Sequence, residues 1–282
     1  MENLDKISTI IIGRRSNLSN ALSNKLSAVD LLSSESLLKS FTILDKYCGK
    51  KINLIFNNFQ RSTQLKSYSN PNLYIDLSIS LTIRVLMHLI NHGFDIKKII
   101  YTSSGSVYSS GEIADENLQA SPIGIAPLLK YINEQFLEKI CHQHNLNLTI
   151  ARVFNMYGGN DKFSIISKVI KCYLNDTELK TINNGDAIRD FIHIDDVVNI
   201  YLKLLSNSSI GAGILNIGTG KGQSLSMILN RLHNKGFSLK TQNISSKEIT
   251  FSQASVEKLK NIIDIDSFID VNEYLLRKIN SV

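Results

Sequence analysis

The sequence predicts a doubly wound α/β fold, a parallel sheet with helices on both faces. Two observations carry this prediction. Short β-branched runs alternate with amphipathic stretches of ten or more residues, the pattern of strands joined by crossover helices rather than by hairpins. The 282 residues, 43% hydrophobic and 20% charged, also suffice for one large core or two joined ones and lie far from a disordered composition.

Along the chain, residues 8–12 read as a first strand that stops at Gly13, and helical spacing follows at Leu18, Leu22 and Leu26. Residues 28–32 and 52–56 read as two further strands. Residues 73–90 repeat apolar side chains at Leu77, Leu81, Val85 and Leu89, one face of a helix ending near Gly93. A strand at 98–102, a long helix at 128–142 and a strand at 148–154 complete the regular part. Beyond Asp161, helices at 164–174 and 195–205 flank a loop at 183–189, and residues 211–217 lead into the turn Gly218-Thr-Gly-Lys-Gly222. Ligands of such sheets bind beyond the carboxyl ends of the strands. That rule singles out Gly13 and residues 57–61, 103–108 and 154–158.

Lys plus Arg total 31 against 25 for Asp plus Glu, a net charge of +6 with no basic block. Such a mild excess suits an anionic ligand and gives no sign of a nucleic-acid partner. Apolar runs such as 7–12 are too short to span a bilayer, and no basic segment precedes a long apolar one, so neither membrane nor secretion is expected. Cys48, Cys141 and Cys172 have neither disulfide parity nor metal spacing, which leads to the expectation of reduced thiols, a cytoplasmic location and no metal.

Four segments occur in order: Tyr101-Thr-Ser-Ser-Gly-Ser-Val-Tyr108, Ala151-Arg-Val-Phe-Asn-Met-Tyr-Gly158, Gly185-Asp-Ala-Ile-Arg-Asp-Phe-Ile-His-Ile-Asp-Asp-Val-Val198 and Leu215-Asn-Ile-Gly-Thr-Gly220. Together they resemble the extended short-chain dehydrogenase/reductase family, the NAD-dependent epimerase/dehydratases that modify nucleotide-linked sugars. Residues 162–201 and Ile249-Thr-Phe-Ser-Gln-Ala254 are most similar to the small O-antigen sugar reductases that make CDP-linked abequose and paratose. The resemblance implies a Rossmann-like dinucleotide-binding-type domain at 1–158, completed by about 186–217, and a small α/β substrate lobe at 159–185 and 218–282. It implies NAD or NADP as cofactor and a nucleotide-activated sugar as substrate. It also implies a homodimer through helices 73–90 and 128–142, with Leu81, Val85, Leu129 and Phe136 at the contact. Ser104, three residues before Val107, matches the family's catalytic serine, and Lys130, four before Glu134, its lysine. Ser106, Tyr108 and Asn155 match the substrate side and Phe154 the cofactor side. Arg189 matches the arginine that pairs with a phosphate, a role suited to a guanidinium fork. His193 is expected to pack rather than to bind.

The pattern then departs from the family. Counted from Lys130 the family's catalytic tyrosine falls on Ala126, and aligned on Ser121-Pro-Ile-Gly124 it falls on Ile123. Tyr131 points about 100° away from Lys130 around the helix, which leaves Tyr108, Ser106 or a water to move the proton. A positioned acid or base contributes roughly 10²–10⁴-fold in rate. The first turn, Gly13-Arg14-Arg15-Ser16-Asn17-Leu18-Ser19, keeps one of the three glycines of a dinucleotide turn. Ser16 puts a Cβ where a phosphate should approach and gives up positive φ. Arg14 and Arg15 add charge, and Asn58 and Phe59 stand where the family has a small pair beneath the dinucleotide. Ser33 and Ser34 precede Glu35 where a carboxylate should end the second strand, which suits NADP. These losses all touch redox chemistry, so a redox-inactive binding protein and a non-redox nucleotide-sugar enzyme stand as alternatives.

Overall fold

The computed structural model describes residues 7–58, 71–109, 111–207 and 209–280. The first half runs β1 (Ile7–Ile12), α1 (Asn17–Ser23), β2 (Val29–Leu32), α2 (Ser34–Lys39), β3 (Lys51–Phe56), α3 (Pro71–Ile75), a π-helical turn (Asp76–Ser80), α4 (Leu81–Asn91), β4 (Asp95–Ser104), β5 (Ile113–Ala114) and α5 (Ile125–Gln143). Then come β6 (Leu148–Val153), β7 (Asn155–Tyr157), α6 (Ile165–Leu174), β8 (Leu179–Ile182), β9 (Ile188–His193), α7 (Ile194–Ser206) and β10 (Gly213–Ile217). The chain closes with β11 (Gly222–Ser224), α8 (Leu225–Asn234), β12 (Thr241–Ile244), β13 (Phe251–Ala254), α9 (Glu257–Lys260) and α10 (Val271–Asn280).

Six strands pair in the order β10-β6-β4-β3-β1-β2. β1 runs parallel to β2 and β3, and β3 parallel to β4. Ile10, Ile11 and Ile12 of β1 and Leu54, Ile55 and Phe56 of β3 are wholly buried, as strands covered on both faces require. This is the doubly wound α/β fold that the alternation predicts. The chain passes from β2 across β1 to β3, so the sheet changes direction at the carboxyl end of β1, where Gly13 stands.

Two compact units divide the chain. The first comprises 1–107, 122–152 and 201–215; the second 108–121, 153–200 and 216–282. In the first, Leu81, Val85, Leu86 and Leu89 of α4 join Ile10, Ile52, Leu54, Ile99 and Ile150 in one core. The stretch 72–91 is apolar enough by composition to cross a membrane, but this face is that of a core helix. The same packing corrects the expected intermolecular contact. Leu81 and Val85 serve their own sheet, and Leu129 packs on Tyr74 and Ile79, so Phe136 alone of the four is exposed.

In the second unit β9 pairs with β11, β13 and β7, and β5 joins β13. Tyr157, Ile166, Val169, Ile228, Leu232 and Leu275 form its core. Residues 183–189 are not simply a loop. Asn183 and Asn184 make a tight turn at φ of 45° and 58°, and Ile188 and Arg189 already belong to β9. Nor does the first helix reach Leu26, since α1 stops at Ser23.

Candidate functional site

β1 delivers its chain end into a turn that only glycine can begin. Gly13 sits at φ +111°, and a Cβ there would lie 2.3 Å from the Asn57 carbonyl oxygen. The Asn57 amide donates to Ile12 O at 2.8 Å, and the Gly13 and Arg14 amides donate to Leu32 O at 3.0 and 3.2 Å. Ser16 then caps α1 at φ −71°, ψ 142°, its Oγ accepting from the Ser19 amide. The positive φ that serine was expected to sacrifice is not used at residue 16. Buried Ser19 donates its hydroxyl to Gly13 O at 2.8 Å. Asn57 Nδ2 donates to Ser16 Oγ and Ser19 Oγ, each at 2.8 Å. The turn therefore keeps the glycine that the close approach of β3 requires, and side chains close the rest, so these residues fit a dinucleotide.

The other cofactor candidates divide. Arg14 and Arg15 are exposed, and Arg15 pairs with Glu35 at 3.4 Å. Asn17 opens α1, while the Leu18 side chain lies in the core at 1% exposure, so any Leu18 contact is reduced to its main chain. Asn58 donates to Leu77 O at 3.1 Å and Thr82 Oγ1 at 3.0 Å, and its Oδ1 is buried with no partner among the described residues. Phe59 lies outside the described residues.

The carboxyl end of β4 gathers the catalytic candidates of the first unit. Ser104 Oγ accepts from Ser106 Oγ at 2.9 Å and from the Ser106 amide at 3.2 Å. Lys130 Nζ, reaching from α5, donates to Thr102 O at 3.1 Å. Burial pulls its ammonium down to about 8, against the opposing charge of Glu134. Glu134, fully buried, accepts from Ser103 and pairs with Arg152 Nη2 at 2.6 Å and with Arg152 Nε at 3.2 Å. This buried pair locks α5 onto β4 and β6 and so fixes Lys130. Ala126 packs with Ile125 and Ile132 against Tyr74, Ile79 and Leu129, and Ile123 is exposed. Neither position offers a proton.

In the second unit Tyr108 donates its hydroxyl to Asn216 Oδ1 at 3.0 Å and stacks on Phe154, with ring centroids 6.4 Å apart. Asn155 Nδ2 donates to Asp190 O at 3.2 Å. Arg189 donates to Ile188 O at 2.8 Å and pairs with Glu248 at 3.0 Å. Burial lowers the Arg189 pKa, and the Glu248 charge opposes that shift.

Asp190, not singled out as a site residue from the sequence, holds the Thr219–Gly220 turn and also accepts from Asn155 through its main-chain oxygen. Its carboxylate, wholly buried, accepts from the Thr219 amide (2.8 Å) and hydroxyl (2.6 Å), the Gly220 amide (2.9 Å) and the Ala254 amide (3.2 Å). Burial pushes its pKa up while those donors pull it down. A signal existed: a carboxylate between Arg189 and the apolar Phe191-Ile192 of the same strand. Glu248, the partner of Arg189, had none. His193 is buried between the rings of Tyr157 and Tyr274, at 5.2 and 4.9 Å, and its Nδ1 accepts from the Asp195 amide, a packing role as expected.

A parallel sheet of this strand order, with a glycine turn at its switch point, defines a Rossmann-like nucleotide-binding class of protein. Residues 3–218 match the profile of the NAD dependent epimerase/dehydratase family, and the chain belongs to that family. It is 26% identical over 247 residues to the UDP-glucuronate 4-epimerase of Thermodesulfobacterium geofontis, covering 85% of this chain and 74% of that one. It is 29% identical over 191 residues to the ADP-L-glycero-D-manno-heptose-6-epimerase of Brachyspira hyodysenteriae, covering 62% and 60%. Among solved structures, a mutant UDP-glucuronic acid 4-epimerase from Bacillus cereus, in complex with UDP-4-deoxy-4-fluoro-glucuronic acid and NAD, superposes with a TM-score of 0.84. Identity there is 17%, over 97% of this chain and 98% of the other. The UDP-glucose 4-epimerase of Thermus thermophilus, in complex with NAD, gives a TM-score of 0.81 at 15% identity over 97% and 98%.

Proposed function

We propose that this chain is an NAD-linked enzyme acting on a nucleotide-activated sugar, an epimerase or 4-keto reductase of surface polysaccharide synthesis such as O-antigen. The observation that carries the reading is the end of β4, where half-buried Lys130 reaches Thr102 O two residues before the Ser104–Ser106 pair. The relatives compared above are epimerases, and both solved structures contain NAD, which favours epimerisation and NAD over the CDP-sugar reductases and NADP. In this reading 1–158 with 186–217 form the dinucleotide-binding-type domain, which also lends Tyr108, Asn155 and Arg189 to the substrate, and 159–185 with 218–282 form the substrate lobe.

A bound nicotinamide supplies the hydride acceptor and donor. The chain supplies the rest. The Gly13–Ser19 turn, Asn58 and Phe154 hold the dinucleotide, and Lys130 holds its ribose. Ser104 donates to the sugar oxygen, and Ser106, 2.9 Å from Ser104 Oγ, is the hydroxyl best placed to pass it a proton. Asn155 and the Arg189 fork take the diphosphate, with Tyr108 on the substrate side. The protein works in the cytoplasm as a homodimer, through the exposed Leu73, Ile75, Leu128 and Phe136.

Incubation with UDP-, dTDP- and CDP-sugars, with and without NAD(H) or NADP(H), tests this reading by nicotinamide absorbance and product mass. Turnover that needs the dinucleotide and is lost in Ser104→Ala supports it. The apolar surroundings of Ala126 favour one second reading, a non-redox nucleotide-sugar enzyme. Product formed without nicotinamide selects that reading. No product and no thermal shift with any dinucleotide selects the binding protein. A monomer by light scattering at micromolar concentration removes the dimer.

A further inference from the structure

We propose that Asn57 is the positioning residue of the β1–α1 turn, closing through Ser16 and Ser19 a turn that glycines would otherwise close. Dinucleotide binding then depends on the bonds from Asn57 to both hydroxyls. The inference rests on the dinucleotide reading above.

Its first support is the direction of the hydrogen bonds. Ser19 Oγ spends its proton on Gly13 O, so toward Asn57 it can only accept. Ser16 Oγ already accepts from the Ser19 amide and accepts again from residue 57. The Asn57 amide nitrogen must therefore face both serines, and a flipped side chain would set oxygen against an acceptor. The main chain of Asn57 lies against the same turn: its amide binds Ile12 O, and its carbonyl oxygen is the atom that forbids a Cβ on Gly13. One residue thus ties the strand end, the glycine and both serines.

The second support is what this arrangement leaves over. Asn57 is 2% exposed, and its Oδ1 is buried with no partner among the described residues. A buried unpaired oxygen is costly, and an aliphatic side chain would avoid that cost. Packing gives no reason for asparagine here. Its two N–H groups do, because they hold both serine hydroxyls, which in turn bind the Ser19 amide and Gly13 O of the turn.

The test compares Asn57→Ala, Ser16→Ala and their double variant, because the first removes the donor and the second one of its two acceptors. NAD affinity is read by titration calorimetry and the turn by thermal unfolding without ligand. Ser16→Ala is expected to weaken NAD binding about tenfold, as loss of a ligand-positioning bond implies. Asn57→Ala should bind at least as poorly as Ser16→Ala, and the double variant no worse than Asn57→Ala, because the bond to Ser16 is already gone. An Asn57→Ala that binds as wild type does, or a double variant weakened by the product of the two single effects, overturns the proposal. A wild type that binds no dinucleotide overturns the functional reading itself, a result separate from any ranking of the variants.

Discussion

In the first unit the Gly13–Ser19 turn is closed by neutral side chains, an amide and two hydroxyls, around one glycine. In the second, the Gly218–Gly220 turn is closed by Asp190, a carboxylate with no exposure that accepts from three main-chain amides and a hydroxyl. Neutral bonds of the first kind contribute about 0.5–1.5 kcal/mol each and can be exchanged for conformational freedom elsewhere. A buried charge has no such freedom, because it must keep its donors or neutralise. The difference lies in what each closure can lose, since a neutral hydroxyl can be given up more cheaply than the donors of a buried carboxylate.

The sharpest way to break this comparison is Asp190→Ala. It leaves the Thr219, Gly220 and Ala254 amides without their acceptor and is expected to cost about 3–5 kcal/mol in urea unfolding. Asp190→Asn, which keeps an acceptor oxygen, should cost less than half of that. Gly13→Ala comes next, at about 2–3 kcal/mol, because strain at φ +111° adds to the 2.3 Å overlap with Asn57 O. The control is Gly49→Ala, at φ +74° with nothing within 4 Å, which should show the backbone term alone, about 1 kcal/mol.

A second buried carboxylate sharpens the contrast from the other side. Asp196, 5% exposed, accepts from a single amide, Ile269 N at 2.9 Å, and burial beside Asp195 raises its pKa to about 6. The unfolded chain releases this proton near 3.8, below the folded value. The contribution is therefore fully present below about pH 4 and is lost as pH rises through about 6. Asp196→Asn is expected to raise stability at pH 7 on the order of 1–3 kcal/mol and to flatten the melting-temperature profile between about pH 4 and 7. Melts across that range that leave the slope unchanged would show that Asp196 is already well solvated.

What was legible in the sequence follows from range. β1, β3, β4 and α4 announce themselves by local periodicity, and Gly13, Ser104 and Lys130 by position within motifs. β5, β7 and β11 are two or three residues long and carry no period to read. Asn57 meets Ser16 across 41 residues and Glu248 meets Arg189 across 59, so neither partnership leaves a local trace. The exposure of Phe136 and the burial of Leu81 and Val85 were equally hidden, because helical spacing shows a stripe but not which surface covers it.

The smallest expected effect concerns a charged contact at the first turn. Arg15 and Glu35 meet at 3.4 Å with side chains 68% and 62% exposed, a geometry contributing no more than about 0.5 kcal/mol. Arg15→Ala should leave the unfolding midpoint unchanged within error. Its bearing on cofactor choice is larger than its bearing on stability. Glu35 follows β2, where a 2′-phosphate would need a cation, and it engages the guanidinium that such a phosphate would use. Glu35→Gln releases Arg15 and removes a like charge, so it is expected to raise NADP affinity relative to NAD by several-fold, read by calorimetry at low salt where exposed charges are least screened. Arg15→Ala added to Glu35→Gln should abolish the gain. An affinity ratio unmoved in Glu35→Gln would take Arg15 out of the dinucleotide's reach and leave the Asn57 closure as what distinguishes this turn.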